Sequence, residues 1–341
     1  MTTCAFVSFR FGPTDGVSIV ARQWMELFRS FGFDVVTVTG DADADRPVPG
    51  LAIEATEPPT DGELADALAD ADLTVVENLC TIPLNVPAAL ATGRVLAGRP
   101  AILHHHDPPW HRPQYAHVTE LPLDDPAWRH VTITATAAAE MADHGLHTTV
   151  IHNGFDQPGA GDREGWRNRL DVADGELLLA HPVRAIERKN VPTAVALAEE
   201  MGATYWLLGP AEEGYAADLE RVLAAARCRV IRRSCDDVDD IYAASDAIAY
   251  PSLWEGFGNP PIEAALRRRA AAVGHYPFSE HLRALGMRFC EPDDGATLAR
   301  LARSADAEWL DQNQHIAEQH FSIDRVRTDL QTLLADAGWL P

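Results

Sequence analysis

The sequence predicts an α/β protein of two domains, each a parallel sheet covered by helices. Three observations carry that expectation. Short apolar, β-branched runs alternate with amphipathic stretches along almost the whole chain, the pattern of strands joined by helical crossovers. The 341 residues exceed what one ordinary core organises and suit two domains of roughly 150 residues each. The alternation also breaks once, in a segment rich in Gly, Pro and charge, and then restarts.

In the first half, strands are expected at 4–9, 34–40, 73–79, 101–106, 131–136 and 148–153, with helices at 17–31, 61–71 and 85–96. DADADRPVPG (41–50) reads as a solvated loop. The break is GFDQPGAGDREG (154–165). Beyond it, LLLAHPV, ATYWLLG, RVIRR and AIAYPS read as strands, with helices at 191–201, 214–226 and 237–245. From about Asp306 the tail is helical and strand-free, so it is expected to pack back across one or both domains.

Composition narrows the partners. The chain carries 28 Lys+Arg against 51 Asp+Glu, a formal charge of −23, and such a field repels nucleic acid and anionic lipid headgroups. A phosphorylated ligand would need a local positive site. Lys189 is the only lysine, which singles it out where a compact ammonium replaces the planar arginine fork. The cysteines (Cys4, Cys80, Cys228, Cys235, Cys290) are five and lack CxxC spacing, which suits reduced thiols in the cytoplasm. Neither a signal peptide nor an apolar run long enough to span a bilayer is apparent, so no stable membrane anchor is expected.

Ligands of open α/β sheets bind beyond the carboxyl ends of the strands, so the residues following each strand are the informative ones. FRFGPTDGVSIVARQW (9–24) is a strand, a turn and a helix start near Gly16, without the GxGxxG of dinucleotide enzymes. LHHHDPPWHR (103–112) alternates faces, placing His104 and His106 on one side and His105 on the other. A metal site there would draw on His104, His106, Asp107 or His111, but no HExxH pattern supports one, and no metal is expected. His106 and Asp107 are better read as partners of sugar hydroxyls, with Trp110 as an apolar wall. HPVRAIERKN (181–190) brings Arg184 and Lys189 into one loop before a helix, a clamp suited to a pyrophosphate. YPSLWEGFGNPPIEA (250–264) ends a strand, carries Glu255 on a glycine-rich loop, and starts a helix at Pro260-Pro261 with Glu263 in its first turn. Paired carboxylates also permit a hydrolytic acid/base couple, but that reading leaves the phosphate clamp unused.

The E-x7-E spacing after a strand resembles the signature of glycosyltransferase family 4, retaining enzymes of the two-Rossmann-domain (GT-B) fold. The likeness covers nearly the whole chain: DGVS, HHD, IHNGFD, RAIERKN and EGFGNPPIEA, in that order. VVENLCTIPLN (75–85) is also similar to a subset of the family that includes mannosylglucosylglycerate synthase-like enzymes. The pattern departs from the family's at Asp15-Gly16, where Gly-Gly is common, and at Val183, where glycine usually precedes the first cation.

The resemblance implies two Rossmann-like domains facing across a cleft. The acceptor domain would span 1–155 together with a helix at about 322–341, and the donor domain 156–321. It implies that Arg184 and Lys189 hold the donor diphosphate, Glu263 the ribose hydroxyls and Glu255 a hydroxyl of the donor sugar. Backbone groups of Gly256, Phe257, Gly258 and Asn259 would touch that sugar or the phosphates. Gly16 would lie near the diphosphate and His106 near the donor sugar and acceptor. The implied reaction moves a glucose- or mannose-type hexose from UDP or GDP to a hydroxyl of a small polar acceptor. The nucleotide sugar is a co-substrate, and no cofactor is implied. With no evident enzymic nucleophile, the leaving diphosphate would take the acceptor's proton in a same-face attack. A nucleotide-sugar epimerase or phosphorylase on the same fold, and a non-catalytic nucleotide-sugar-binding protein, remain open as alternatives.

Overall fold

The computed structural model describes residues 2–12, 15–115, 117–304 and 307–341. The chain divides into two compact units, Met1–Gly154 with Ile323–Pro341, and Phe155–Ser322. Each is a doubly wound α/β sheet. No helix among the described residues is long and apolar enough to cross a membrane.

The first unit holds a seven-stranded sheet: β1 (Thr3–Val7), β2 (Asp34–Thr39), β3 (Arg46–Pro47), β4 (Leu73–Glu77), β5 (Ala101–His105), β6 (Trp128–Thr132) and β7 (Thr148–Val150). Their order is β3-β2-β1-β4-β5-β6-β7, and every pairing is parallel. All five residues of β4 and of β5 are buried, as expected of strands covered on both faces. The helix Gly16–Ser30 buries Val20, Ala21, Trp24, Met25, Leu27 and Phe28, a stripe at i, i+3 and i+4. Asp15 starts that helix by accepting a hydrogen bond from the Ser18 amide at 3.0 Å. The helix Ile323–Ala337 returns to the same face and adds Val326, Leu330, Leu333 and Leu334 to the core around Phe6 and Trp24.

The second unit holds β8 (Leu178–His181), β9 (Thr204–Leu207), β10 (Val230–Arg232), β11 (Ala247–Tyr250) and β12 (Ala270–Val273). They run parallel in the order β10-β9-β8-β11-β12. The strand order reverses between β1 and β4 in the first sheet and between β8 and β11 in the second. At such switch points neighbouring loops diverge and leave a crevice. The loops following these four strands, with that of β5, carry the sequence motifs singled out above.

Several local expectations need correction. Residues 41–50, expected as a loop, include the edge strand β3, where Arg46 forks onto Asp70 at 2.6 and 2.9 Å and Val48 is buried. The strand expected at 131–136 ends at Thr132, because Thr134 caps the helix Ala135–Asp143 by accepting from the Ala137 amide. β12 is three alanines and one valine, too little β-branched signal to read as a strand, and the boundary segment closes on the helix Arg163–Arg169. The tail forms the helices Ala307–Phe321 and Ile323–Ala337; Asp306, with Pro13 and Thr14 of the first loop, lies outside the described residues.

Leu330 is fully buried in the first unit's core. Leu330→Ala is expected to lower stability by about 2–5 kcal/mol in chemical denaturation. A loss below about 0.5 kcal/mol would remove the terminal helix from that core.

Candidate functional site

In the second unit, β8 delivers the chain into a loop that closes with a short 3-10 turn, Glu187–Lys189. Asn190 then takes a left-handed conformation (φ 54°), and Pro192 sits in the first turn of the helix Val191–Met201. This turn directs Lys189 inward. Its ammonium donates to the Tyr250 hydroxyl at 3.1 Å and to Oε1 of Glu255, and lies 4.9 Å from the Tyr250 ring centroid. Arg188 donates to Oε2 of the same carboxylate at 2.5 Å and to the Trp254 carbonyl at 3.0 Å. The Leu253 amide answers with a 2.8 Å bond to the Arg188 carbonyl. Two loops at the switch point are thus joined through one buried carboxylate. Burial works to raise the Glu255 carboxyl, but Lys189 and Arg188 outweigh it and hold it below the usual carboxylate range.

The remaining sequence candidates of this unit are placed as follows. Arg184 is exposed and pairs with Glu212 at 2.6 Å, with its charge still felt at Lys189. Glu263, in the helix Asn259–Leu266, accepts from the Tyr242 hydroxyl at 2.7 Å, and burial raises its pKa. The Phe257 ring is buried and stacks on Phe278 at 4.1 Å, so only its backbone is left for a ligand. Gly256 is half-buried, and Asn259 is exposed at the helix start. Gly258 adopts φ +89°, and a Cβ there would lie 2.7 Å from the Tyr276 hydroxyl, itself buried without a hydrogen-bond partner.

In the first unit the loops after β4 and β5 interlock. Glu77 ends β4 wholly buried; Oε1 of its carboxylate accepts from Nδ1 of His104 at 3.2 Å and Oε2 from Nε2 of His106 at 3.0 Å. Burial works to raise the Glu77 carboxyl, but the two imidazoles outweigh it and bring it down to about 2. Asn78 is left-handed (φ 59°) and buried. Its Oδ1 accepts from the amides of His106 and Asp107, and its Nδ2 donates to Oδ2 of Asp107, all at 3.1 Å. The strand alternation holds: His105 faces away, to Thr81 at 2.6 Å and His130 at 2.9 Å.

A cavity of about 210 Å³ opens at this edge of the sheet, with Ser8, Arg10, Asp15, Asn78, Asp107 and Arg112 among its walls. Asp107 is therefore at a pocket. Trp110 is not in its lining: its ring stacks on His144 at 3.8 Å and its indole donates to Glu140 at 2.9 Å. Gly16 begins its helix with no atom of the described residues within 4 Å of a notional Cβ, so their packing does not demand glycine there. A larger cavity of about 450 Å³ in the second unit lies at the opposite, amino-terminal edge of the sheet and is walled by the pairs Arg227–Glu199 and Arg229–Glu176. Its charged walls are paired with one another.

Among the described residues, Glu77, His104 and His106 are the group that could surround a metal ion, with ligand atoms within 4.8 Å of one another. In this structure those atoms are engaged with each other. Sequence reasoning missed Glu77, Asn78, Arg188 and Tyr250. Glu77 carries a legible signal, a lone carboxylate ending an apolar strand. Asn78's backbone conformation carries none.

No family model matches the chain. It is similar to the mannosylglucosylglycerate synthase of Petrotoga mobilis, 25% identical over 80% of this chain and 82% of the relative. A protein of the same name from Thermotoga maritima is 22% identical over 77% of this chain and 76% of its own. Among solved structures, Anabaena HepE in complex with UDP-glucose superposes with a TM-score of 0.75 at 20% identity, covering 98% of this chain and all of that one. The fold is that of the GT-B glycosyltransferases.

Gly258→Ala forces a left-handed alanine against the Tyr276 hydroxyl. The expected cost is about 1–3 kcal/mol of stability, read by denaturation. A neutral substitution would mean that the loop relaxes freely at this turn.

Proposed function

We propose that this chain, a glycosyltransferase of the GT-B fold, moves a glucose- or mannose-type hexose from UDP or GDP to a hydroxyl of a small polar acceptor, with retention and without a metal ion. The observation that carries the reading is the buried cluster of Lys189, Arg188 and Glu255, which joins two loops at the carboxyl edge of the second sheet. An internal carboxylate holding two cations marks the place where a diphosphate, with more charge and more oxygens, is the stronger partner. The diphosphate would take Lys189, and Arg184 would turn from its exposed pair with Glu212 to join it. Glu255 would then be released to accept from a hydroxyl of the sugar.

The helix Asn259–Leu266 contributes its unpaired amino end, with the backbone of Gly256, Phe257, Gly258 and Asn259 in reach of sugar or phosphate oxygens. Glu263, braced by Tyr242, would accept from the ribose hydroxyls. In this reading the second unit, Phe155–Ser322, is the donor domain. The first unit is the acceptor domain, with its cavity beside Asp107 seating the acceptor and His106 contacting a sugar hydroxyl. Gly16, at the start of its helix, would let the diphosphate approach the backbone. Trp110, its ring stacked on His144, would supply an apolar wall beside the His106–Asp107 turn. UDP-glucose in the Anabaena neighbour and the small, hydroxyl-rich compound in the relatives' names both support the donor and acceptor classes.

In the transfer, the bond from the sugar's anomeric carbon to the diphosphate oxygen breaks as the acceptor oxygen bonds to the same face. The acceptor's proton passes to the departing oxygen. Lys189 and Arg184 stabilise the charge that develops there, which is an electrostatic contribution fixed in place before the reaction.

Lys189→Ala is expected to lower kcat/KM by about two to three orders of magnitude. It should also abolish the rise in Tm that UDP or GDP gives the wild type. Turnover near that of the wild type would overturn the assignment. Product analysis separates the alternatives, since an epimerase needs no acceptor, a phosphorylase needs free phosphate, and a binding protein releases no nucleoside diphosphate. Activity should also persist in chelator; a complete loss restored by a divalent ion would overturn the metal-free mechanism.

A further inference from the structure

The carboxylate of Glu77 poses a problem that packing does not answer. The rest of β4 is Leu73, Thr74, Val75 and Val76, and an apolar residue at its last position would continue the core. Instead the strand ends in an ion removed from water, with two imidazoles, and no Lys or Arg, as its partners among the described residues. The next residue, Asn78, holds a conformation that few residues other than glycine tolerate. A buried ion and a left-handed residue other than glycine, side by side, persist where the surroundings over-determine them, commonly at working sites.

We propose that Glu77 and Asn78 are a positioning pair that fixes the His106–Asp107 turn for the transfer reaction. The inference rests on the reading of His106 and Asp107 as sugar-facing groups. An ionised carboxylate only accepts hydrogen bonds, so each imidazole presents an N–H to it: Nδ1–H from His104 and Nε2–H from His106. The proton of His106 is thereby committed to Nε2, and its Nδ1 is left as an acceptor for a substrate hydroxyl. Asn78 fixes the backbone of the same turn by capping both amides with one oxygen, while its NH2 orients the Asp107 carboxylate. Behind them His104 is sandwiched against Trp24, ring centroids 4.0 Å apart and 14° from parallel, so the support does not swing. The arrangement holds one imidazole tautomer and one carboxylate direction before any substrate arrives.

The test uses the full chain with nitrogen-15 in its histidines. In the wild type, His106 is expected to show the Nε2–H tautomer. An Nδ1–H tautomer there overturns the proposal without any variant. In Glu77→Gln the amide can donate as well as accept, and the His106 signals should shift to a mixture of tautomers. In that variant kcat should fall by about ten- to a hundredfold, with the donor KM and the diphosphate-induced Tm rise little changed. Because Glu77 acts through His106, the double variant Glu77→Gln/His106→Ala should be no slower than His106→Ala alone. Multiplying losses, or an unchanged kcat in Glu77→Gln, would overturn the proposal. So would a stoichiometric metal in the purified protein that Glu77→Gln abolishes, since the trio would then be a ligand set. Should Glu77→Gln fail to fold, Asn78→Ala gives the same division of kcat from KM. If His106→Ala were fully active while Glu77→Gln still shifted the tautomer, the sugar-facing role of His106 would fall and the hydrogen-bond assignment would stand.

Discussion

Every strand in both sheets pairs in parallel, and that constraint places the chemistry. A parallel strand cannot turn straight back, so each must be followed by a crossover, and all the loops leaving the strands gather at one edge. With the order reversing at β1/β4 and at β8/β11, the loops of those strands diverge and leave room between helix starts. The motif residues of each unit are therefore neighbours although they are distant in sequence: Lys189 meets Glu255 across 66 positions, and Glu77 meets His106 across 29. The opposite edge has its own hollow, but its charges are spent on one another.

The two units solve a common problem with different chemistry. Each takes a carboxylate out of water at the carboxyl edge of its sheet, at a desolvation cost of several kcal/mol unless it is well partnered. In the second unit the partners are the ammonium of Lys189 and the guanidinium of Arg188. In the first unit they are imidazoles, which donate hydrogen bonds while neutral and leave a second nitrogen for other work. The former suits an exchange of partners on binding, and the latter suits a fixed orientation.

Much of this was legible before the structure. The α/β class followed from alternation, and the HPVRAIERKN and EGFGNPPIEA segments lie where their residue types suggest, each between a strand and a helix. The failures have physical causes. β12 is three alanines before Val273, and such small side chains fit a doubly covered strand but carry little β-propensity signal. Arg188 stands beside the lone lysine in an unremarkable charge run, and only the 3-10 turn reveals that it reaches Glu255. Asn78 depends on a backbone angle that no spacing encodes.

The division of the chain has a consequence for biosynthesis. The first unit leaves off at Gly154 and resumes at Ile323, with Phe155 hydrogen-bonded to the Phe321 carbonyl at 2.8 Å where the second unit begins and ends. On the ribosome, everything the second unit needs emerges before the helix Ile323–Ala337 does. Until then the apolar face around Phe6 and Trp24 has no cover from Val326, Leu330, Leu333 and Leu334. The part made first is thus the part finished last. A nascent chain stalled in the middle of the message would present a completed sheet with one greasy flank bare, a substrate for chaperones and for aggregation alike.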